Sequence, residues 1–271
     1  MRDWYDYILK KENKDTLNRF DYTNETLQNN ENFKKNFEFE NFSNNQLCNK
    51  TYTYFKKILK KKQTFFIGSS WGWVEYFLSK DFPLIASDIN EEYIRYHKNN
   101  TKLNYIKFDI LSENIKDDFQ NKYDQIILNN VEYLFNQDQL KKCLINLSII
   151  AKKESDIYII FRSRDSFLIK IIEKYLMPLE NLIVKHIKNL LGQKIFLTKN
   201  HHGYRRTEKE FLNTINKYDF ELKSIHKEMF ETEYKRLRIL RLFGISKFLS
   251  IIFLKFHLYL KIIHLKKNNE H

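Results

Sequence analysis

Five apolar runs of strand length alternate with stretches of helical spacing, and that alternation limits what this 271-residue chain can fold into. The runs cover 63–67, 84–87, 105–108, 123–128 and 156–161, and helical periodicity covers 73–80, 91–98 and 137–151. Parallel strands cannot be joined by a tight hairpin, and a helix fills the crossover they need. The pattern therefore predicts an α/β fold with a doubly wound, mostly parallel sheet and helices on both faces. The length suits one large domain with a substantial core, and 42% hydrophobic residues place the chain among globular proteins rather than disordered ones. No internal repeat interrupts this reading.

The flanks are less regular. Residues 1–50 mix Asn, Lys and Glu with aromatics such as Phe33, Phe37, Phe39 and Phe42 without a clean period, and are read as a lid or wrap of short helices. The regular domain is assigned to 51–230. It opens on a helix marked by Tyr54, Phe55, Ile58 and Leu59, and later has helical character over 165–191, broken at Pro178. Thr207 and Glu210 form a capping box, in which hydroxyl and carboxylate satisfy the first free amides of a helix. That helix runs to Lys217, and 220–226 alternates like a further strand. Residues 231–271 are read as a basic amphipathic helical tail.

Chemistry concentrates where the strands end. The first run stops at Gly68-Ser69-Ser70-Trp71-Gly72 and turns at once into a helix, which exposes free amides at the sheet's carboxyl edge. With only five glycines in the chain, two within one turn are informative. The second run ends in Asp88, twenty positions after Gly68, where a carboxylate can accept two adjacent ribose hydroxyls. The third ends in Phe108-Asp109-Ile110 and the fourth in Asn129-Asn130, so glycine, acid and amide tips surround one crevice. A ligand-binding edge accounts for this ring better than unrelated turn formers do.

The order Gly-rich turn, Asp88, Phe108-Asp109-Ile110, Tyr123-Asp124 and Asn129-Asn130-Val131-Glu132-Tyr133-Leu134 resembles the class I S-adenosylmethionine-dependent methyltransferases over roughly residues 51–226. The resemblance implies that Gly68, Ser69, Ser70 and Gly72 border the methionine part of S-adenosylmethionine. It implies Asp88, with Ile89 beside it, at the ribose, Asp109 and Ile110 at the adenine, and Asn129 and Asn130 below the sulfonium. Three positions depart from the family pattern. Phe66 stands where an acid is usual, Ser70 where the middle glycine is, and Tyr133 where a histidine is. An O- or N-methyltransferase acting on a small-molecule or glycan/lipid-precursor acceptor is the expected function. An RNA methyltransferase and a non-catalytic domain that keeps the fold are the alternatives.

The acceptor side is expected at Glu132 and Tyr133 and at the loop His201-His202-Gly203-Tyr204-Arg205-Arg206. There the imidazoles and the Tyr133 phenol are the candidate proton acceptors, and Tyr204 and Arg205 the candidate binding groups; an exposed polar loop is the plainer reading. No Asn-Pro-Pro-Tyr or Asp-Pro-Pro-Tyr follows the fourth run, which argues against exocyclic base amines as acceptors. The net charge of +13 suits a polyanion, but the lysines are spread along the chain, so nucleic acid is not the expected partner. Cys48 and Cys143 make neither a disulfide framework nor a metal pattern, no metal is expected, and the reduced cytoplasm fits. The N-terminus carries no apolar signal region, which also fits a cytoplasmic location. On a helical wheel, residues 243–265 divide into an apolar half and a half holding Lys247, Lys255 and Lys261. A helix at a membrane interface, giving peripheral contact at the inner face, or one packed on the domain or a second subunit, would explain it.

Overall fold

Strand β1 (Thr64–Ile67) is buried along its whole length, as a strand with parallel neighbours and helices on both faces must be. Its side chains alternate. Phe65 and Ile67 enter one core cluster while Phe66 enters another on the opposite face. The computed structural model describes residues 37–44, 46–163, 204, 206–229 and 259–268. Around β1 lie β2 (Leu84–Asp88), β3 (Tyr105–Lys107), β4 (Tyr123–Asn129), β5 (Ala151–Arg162), β6 (Phe220–Met229) and β7 (Tyr259–Lys267). They form a seven-stranded sheet in the order β3-β2-β1-β4-β5-β7-β6. The pairs among the first five strands are parallel, and β7 is antiparallel to both of its neighbours.

Helices α1 (Phe39–Asn44), α2 (Gln46–Ile58), α3 (Trp73–Leu78), α4 (Glu91–Asn100), α5 (Ile115–Phe119), α6 (Gln137–Ile150) and α7 (Glu208–Ile215) connect and cover the strands. On one face Leu140, Cys143, Leu144 and Leu147 of α6 pack against Ile126, Leu128, Ile157 and Ile159. On the other, Phe55 of α2 and Phe77 of α3 pack with Phe66, Ile127 and Ile160. All five expected central strands form. The expected cap forms too, Thr207 with Glu210 at α7, and a second capping box, Asn136 with Gln139, starts α6. Of the N-terminal wrap, the described part lies against α3 and α4. Phe42 meets Phe77 at 4.5 Å between ring centroids, and Phe37 stacks on Tyr96 at 5.6 Å.

The helical reading of the C-terminal tail is corrected at its end. Tyr259–Lys267 is strand β7, bridging β5 and β6 by antiparallel pairing. Ile262 belongs to one core cluster and Ile263 and Leu265 to the other, which is the period of two of a strand buried on both faces. Of the lysines that gave the segment a polar half-face, Lys261 turns inward and is satisfied there, as is Lys267 beyond it; Lys247 and Lys255 lie outside the described residues. Lys261 Nζ lies 2.6 Å from Glu208 Oε2 and donates to Ser163 Oγ, and Lys267 Nζ donates to the Ala151 carbonyl at 2.9 Å. A continuous amphipathic helix over 243–265 is therefore excluded; 243–258 lies outside the described residues, as does the stretch 165–191. Among the described residues no helix is long and apolar enough to cross a membrane.

Candidate cofactor-binding site at the carboxyl edge

The turn from β1 into α3 holds three residues in the left-handed region, Gly68 (φ 78°), Ser70 (φ 50°) and Gly72 (φ 64°). Only the serine among them carries a Cβ, and the left-handed form costs it about 1 kcal/mol or more. Gly68 has a second reason to be glycine, since a Cβ there would stand 2.3 Å from Val131 Cγ1 at the tip of β4. The turn is tied down from below. Gly68 N–H and Ser69 N–H both donate to the Ser87 carbonyl at 2.9 Å, and Tyr105 donates its hydroxyl to the Ser70 carbonyl at 2.6 Å. His97, stacked on Tyr105 at 4.6 Å, lies 2.9 Å from the Trp71 carbonyl through Nε2. A carbonyl only accepts, so Nε2 carries the proton and Nδ1 accepts from the Thr101 hydroxyl at 2.9 Å. Burial pushes His97 down to about 4, which keeps it neutral.

Two carboxyls converge on this turn. Asp88, at the tip of β2, accepts from Ser70 N–H through Oδ2 at 2.9 Å and from Asn90 N–H through Oδ1 at 3.0 Å. Burial raises its pKa, opposed by the backbone amides of Asn90, Ser70 and Ile89. Glu75, in the first turn of α3, is 1% exposed and accepts from the Asn129 side-chain amide at 3.2 Å. Burial pushes its carboxyl up to about 7, against the pull of Ser69 and Asn129. Among the described residues neither carboxyl has a Lys or Arg partner. Ser69 lies near enough to Glu75 to favour its ionised form, yet Ser69 Oγ meets no partner in hydrogen-bond geometry, and Asn130 Oδ1 is likewise buried without one.

The remaining expected residues separate by burial. Asn129, Asn130 (φ 53°), Asp109 and Tyr133 are partly exposed at the edge, and Asp109 accepts from Leu111 N–H at 2.8 Å. Ile110 instead sits in the core cluster at 4% exposure, and Ile89 packs partly buried against the same cluster. Glu132, expected on the site wall, is 1% exposed. Arg206 pins the short turn Glu132–Leu134 from behind. Its Nη1 donates to the carbonyls of Glu132 and Tyr204, and its Nη2 to that of Phe135 at 2.7 Å. Burial lowers the pKa of this guanidinium, with Glu132 acting in the opposite direction. Tyr204 N–H donates to the Tyr133 carbonyl, which places Tyr204 beside the turn. His201, His202 and Arg205 lie outside the described residues. Among those residues no group of His, Cys, Asp or Glu could hold a metal ion.

Spacing gives no sign of Glu75, His97 or Tyr105, and Arg206, expected within the acceptor loop, is instead turned onto backbone carbonyls. Glu75 had one legible signal, an acid flanked by Val74, Phe77 and Leu78, all of them buried on the same helix.

No protein-family model matches the chain, and no curated protein is similar to it in sequence. Solved structures are similar in fold. An S-adenosylmethionine-dependent methyltransferase of Methanosarcina mazei is 15% identical with a TM-score of 0.54, covering 80% of this chain and 98% of its own. One from Thermotoga maritima is 12% identical with a TM-score of 0.52, covering 87% and 98%. The [4+2]-cyclase SpnF is 7% identical with a TM-score of 0.52, covering 83% and 81%. The chain has the class I methyltransferase fold. As the cyclase illustrates, chemistry must be argued from the residues at the edge.

Proposed function

We propose that the chain binds S-adenosylmethionine at the carboxyl edge of β1, β2 and β4 and methylates a small-molecule or glycan- or lipid-precursor acceptor on oxygen or nitrogen. The observation that carries this reading is the set of polar groups gathered at this edge: Ser69 Oγ and Asn130 Oδ1, buried without a hydrogen-bond partner, and the carboxyls of Asp88 and Glu75, which have no Lys or Arg partner among the described residues. Buried polar atoms left in this state are costly unless a ligand completes them. A ligand with vicinal hydroxyls and an amino-acid end does so. Asp88 has lone pairs left for hydroxyl donors beyond the backbone amides it already binds.

When bound, S-adenosylmethionine supplies a methyl group already activated by the sulfonium. The protein's part is to fix the acceptor atom in line, and such positioning can contribute up to ~7–11 kcal/mol. Tyr133 stands at this edge on the turn that Arg206 holds, and Tyr204, with His201, His202 and Arg205 as its neighbours in sequence, lies beside that turn. These residues are assigned to the acceptor. A small acceptor is favoured over RNA by where the lysines stand. Lys56, Lys60, Lys142 and Lys152 each pair with a carboxylate, Asp81, Asp156, Glu113 and Asp124. That pairing disperses positive charge instead of gathering it into a stripe.

The protein incubated with S-adenosylmethionine labelled in the methyl group and with fractionated cell extract should place label in the small-molecule or lipid-linked fraction. Label confined to RNA would refute the acceptor class. Tyr133→Phe and Arg205→Ala should lower that labelling while leaving cofactor affinity within about twofold, the outcome for groups that touch only the acceptor.

A further inference from the structure

Glu75 is a fully buried acid that, among the described residues, has no cation against it. A buried carboxylate is normally held by a cation or by several amides. Glu75 is helped only by neutral donors, its own backbone amide and the Asn129 side-chain amide, stands near the neutral Ser69 hydroxyl, and has the acids Asp88 and Tyr105 close enough for each to oppose its charge or feel it. Cys48 of α2 is nearby as well, and its thiol is pushed up by burial and then by Glu75. Nothing in this shell is positive. At the matching place on β1, Phe66 is fully buried in the core and offers no charge to the crevice.

The position of Glu75 turns this deficit into a binding function. Its α3 turn follows directly on the left-handed loop, and its Asn129 partner is the tip of β4, so the carboxylate lies between the two strand ends that border the crevice. We propose that Glu75 is the counter-ion for the α-ammonium group of the bound cofactor's amino-acid end, supplied from the helix because position 66 of the strand carries phenylalanine. The inference rests on the proposed S-adenosylmethionine reading and names the residue that sets its charge recognition. Asn129 then positions Glu75, its amide holding one carboxylate oxygen.

The test compares two ligands on the full chain by calorimetry at pH 8. S-adenosylhomocysteine carries the ammonium group, and 5′-methylthioadenosine keeps the nucleoside but lacks the amino-acid end. Glu75→Gln should weaken S-adenosylhomocysteine roughly 10- to 100-fold, the scale of one charge-assisted hydrogen bond, and change methylthioadenosine by less than about twofold. Equal losses for both ligands would overturn the proposal and make Glu75 a support of the loop; no loss for either would overturn it outright. Failure of the wild-type protein to bind either ligand would overturn the cofactor reading itself. Retained methylthioadenosine binding also shows that the variant is folded.

Discussion

Glu75 exerts a cost on the ligand-free fold that can be read from its titration. Its pKa rises from 4.5 to about 7 on folding, chiefly through burial, so the native state holds a proton that the unfolded chain releases. Its contribution to stability is therefore full below about pH 4.5, falls as pH rises toward 7, and is level above. The total change is on the order of 3 kcal/mol. Glu75→Gln keeps the acceptor for Asn129 and removes the charge. Urea denaturation at pH 5 and pH 8 should show the variant gaining on wild type at the higher pH, with Asp88 common to both. A difference independent of pH would mean that Glu75 is ionised at no cost. At Gly68, Ala adds a methyl against Val131 and forces a left-handed alanine, and about 2–5 kcal/mol of stability should be lost. Val131→Ala should recover part of that loss in the double variant, as seen by thermal melts. Gly68, Asp88 and the Asn129-Asn130 tip were legible because turns and strand ends demand particular residue types. Glu75 and His97 were not, since what distinguishes them is burial against residues from three or four distant segments.

At the level of elements, periodicity served well wherever a segment contacts one environment throughout. β1, β2, β4 and β5 are apolar runs between helices, and the boxes at Asn136 and Thr207 are local chemistry that needs no tertiary knowledge. The C-terminal strand defeated the same reasoning. Lys261 falls on a helical half-face, yet β7 buries it, and Lys267 after it, through partners more than 50 residues distant, Glu208, Ser163 and Ala151. Burial of a lysine against a specific carboxylate cannot be foreseen from spacing. The turn after β4 is likewise fixed from afar by Arg206. Arg206→Ala removes the 2.7 Å bond to the Phe135 carbonyl and one of the donors to the Glu132 carbonyl in a buried setting, and should cost about 1–3 kcal/mol. Lysine has no fork to reach several carbonyls, so Arg206→Lys should restore less than half of this in the same denaturation assay.

For the molecule as a whole, the alternation of runs and helices determined the parallel half of the sheet, because only a doubly wound arrangement buries both faces of such strands. It was silent on the antiparallel edge, where β6 reaches the sheet only through β7. A chain ending at residue 258 would strip β5 of its antiparallel partner, leaving it paired only to β4, and leave β6 with none in the sheet. It should fail to give a cooperative melt, whereas a tail that merely lay on a membrane could be removed without loss. Everything functional proposed above depends on one claim, that the carboxyl edge of this sheet holds S-adenosylmethionine. The most direct measurement is a calorimetric titration of the full chain with S-adenosylmethionine and S-adenosylhomocysteine, repeated on Asp88→Ala. The account predicts one site per chain with micromolar affinity, weakened by ~1–3 kcal/mol in the variant as the ribose hydroxyls lose their acceptor. No heat from either ligand on wild-type protein that gives a cooperative melt would contradict it.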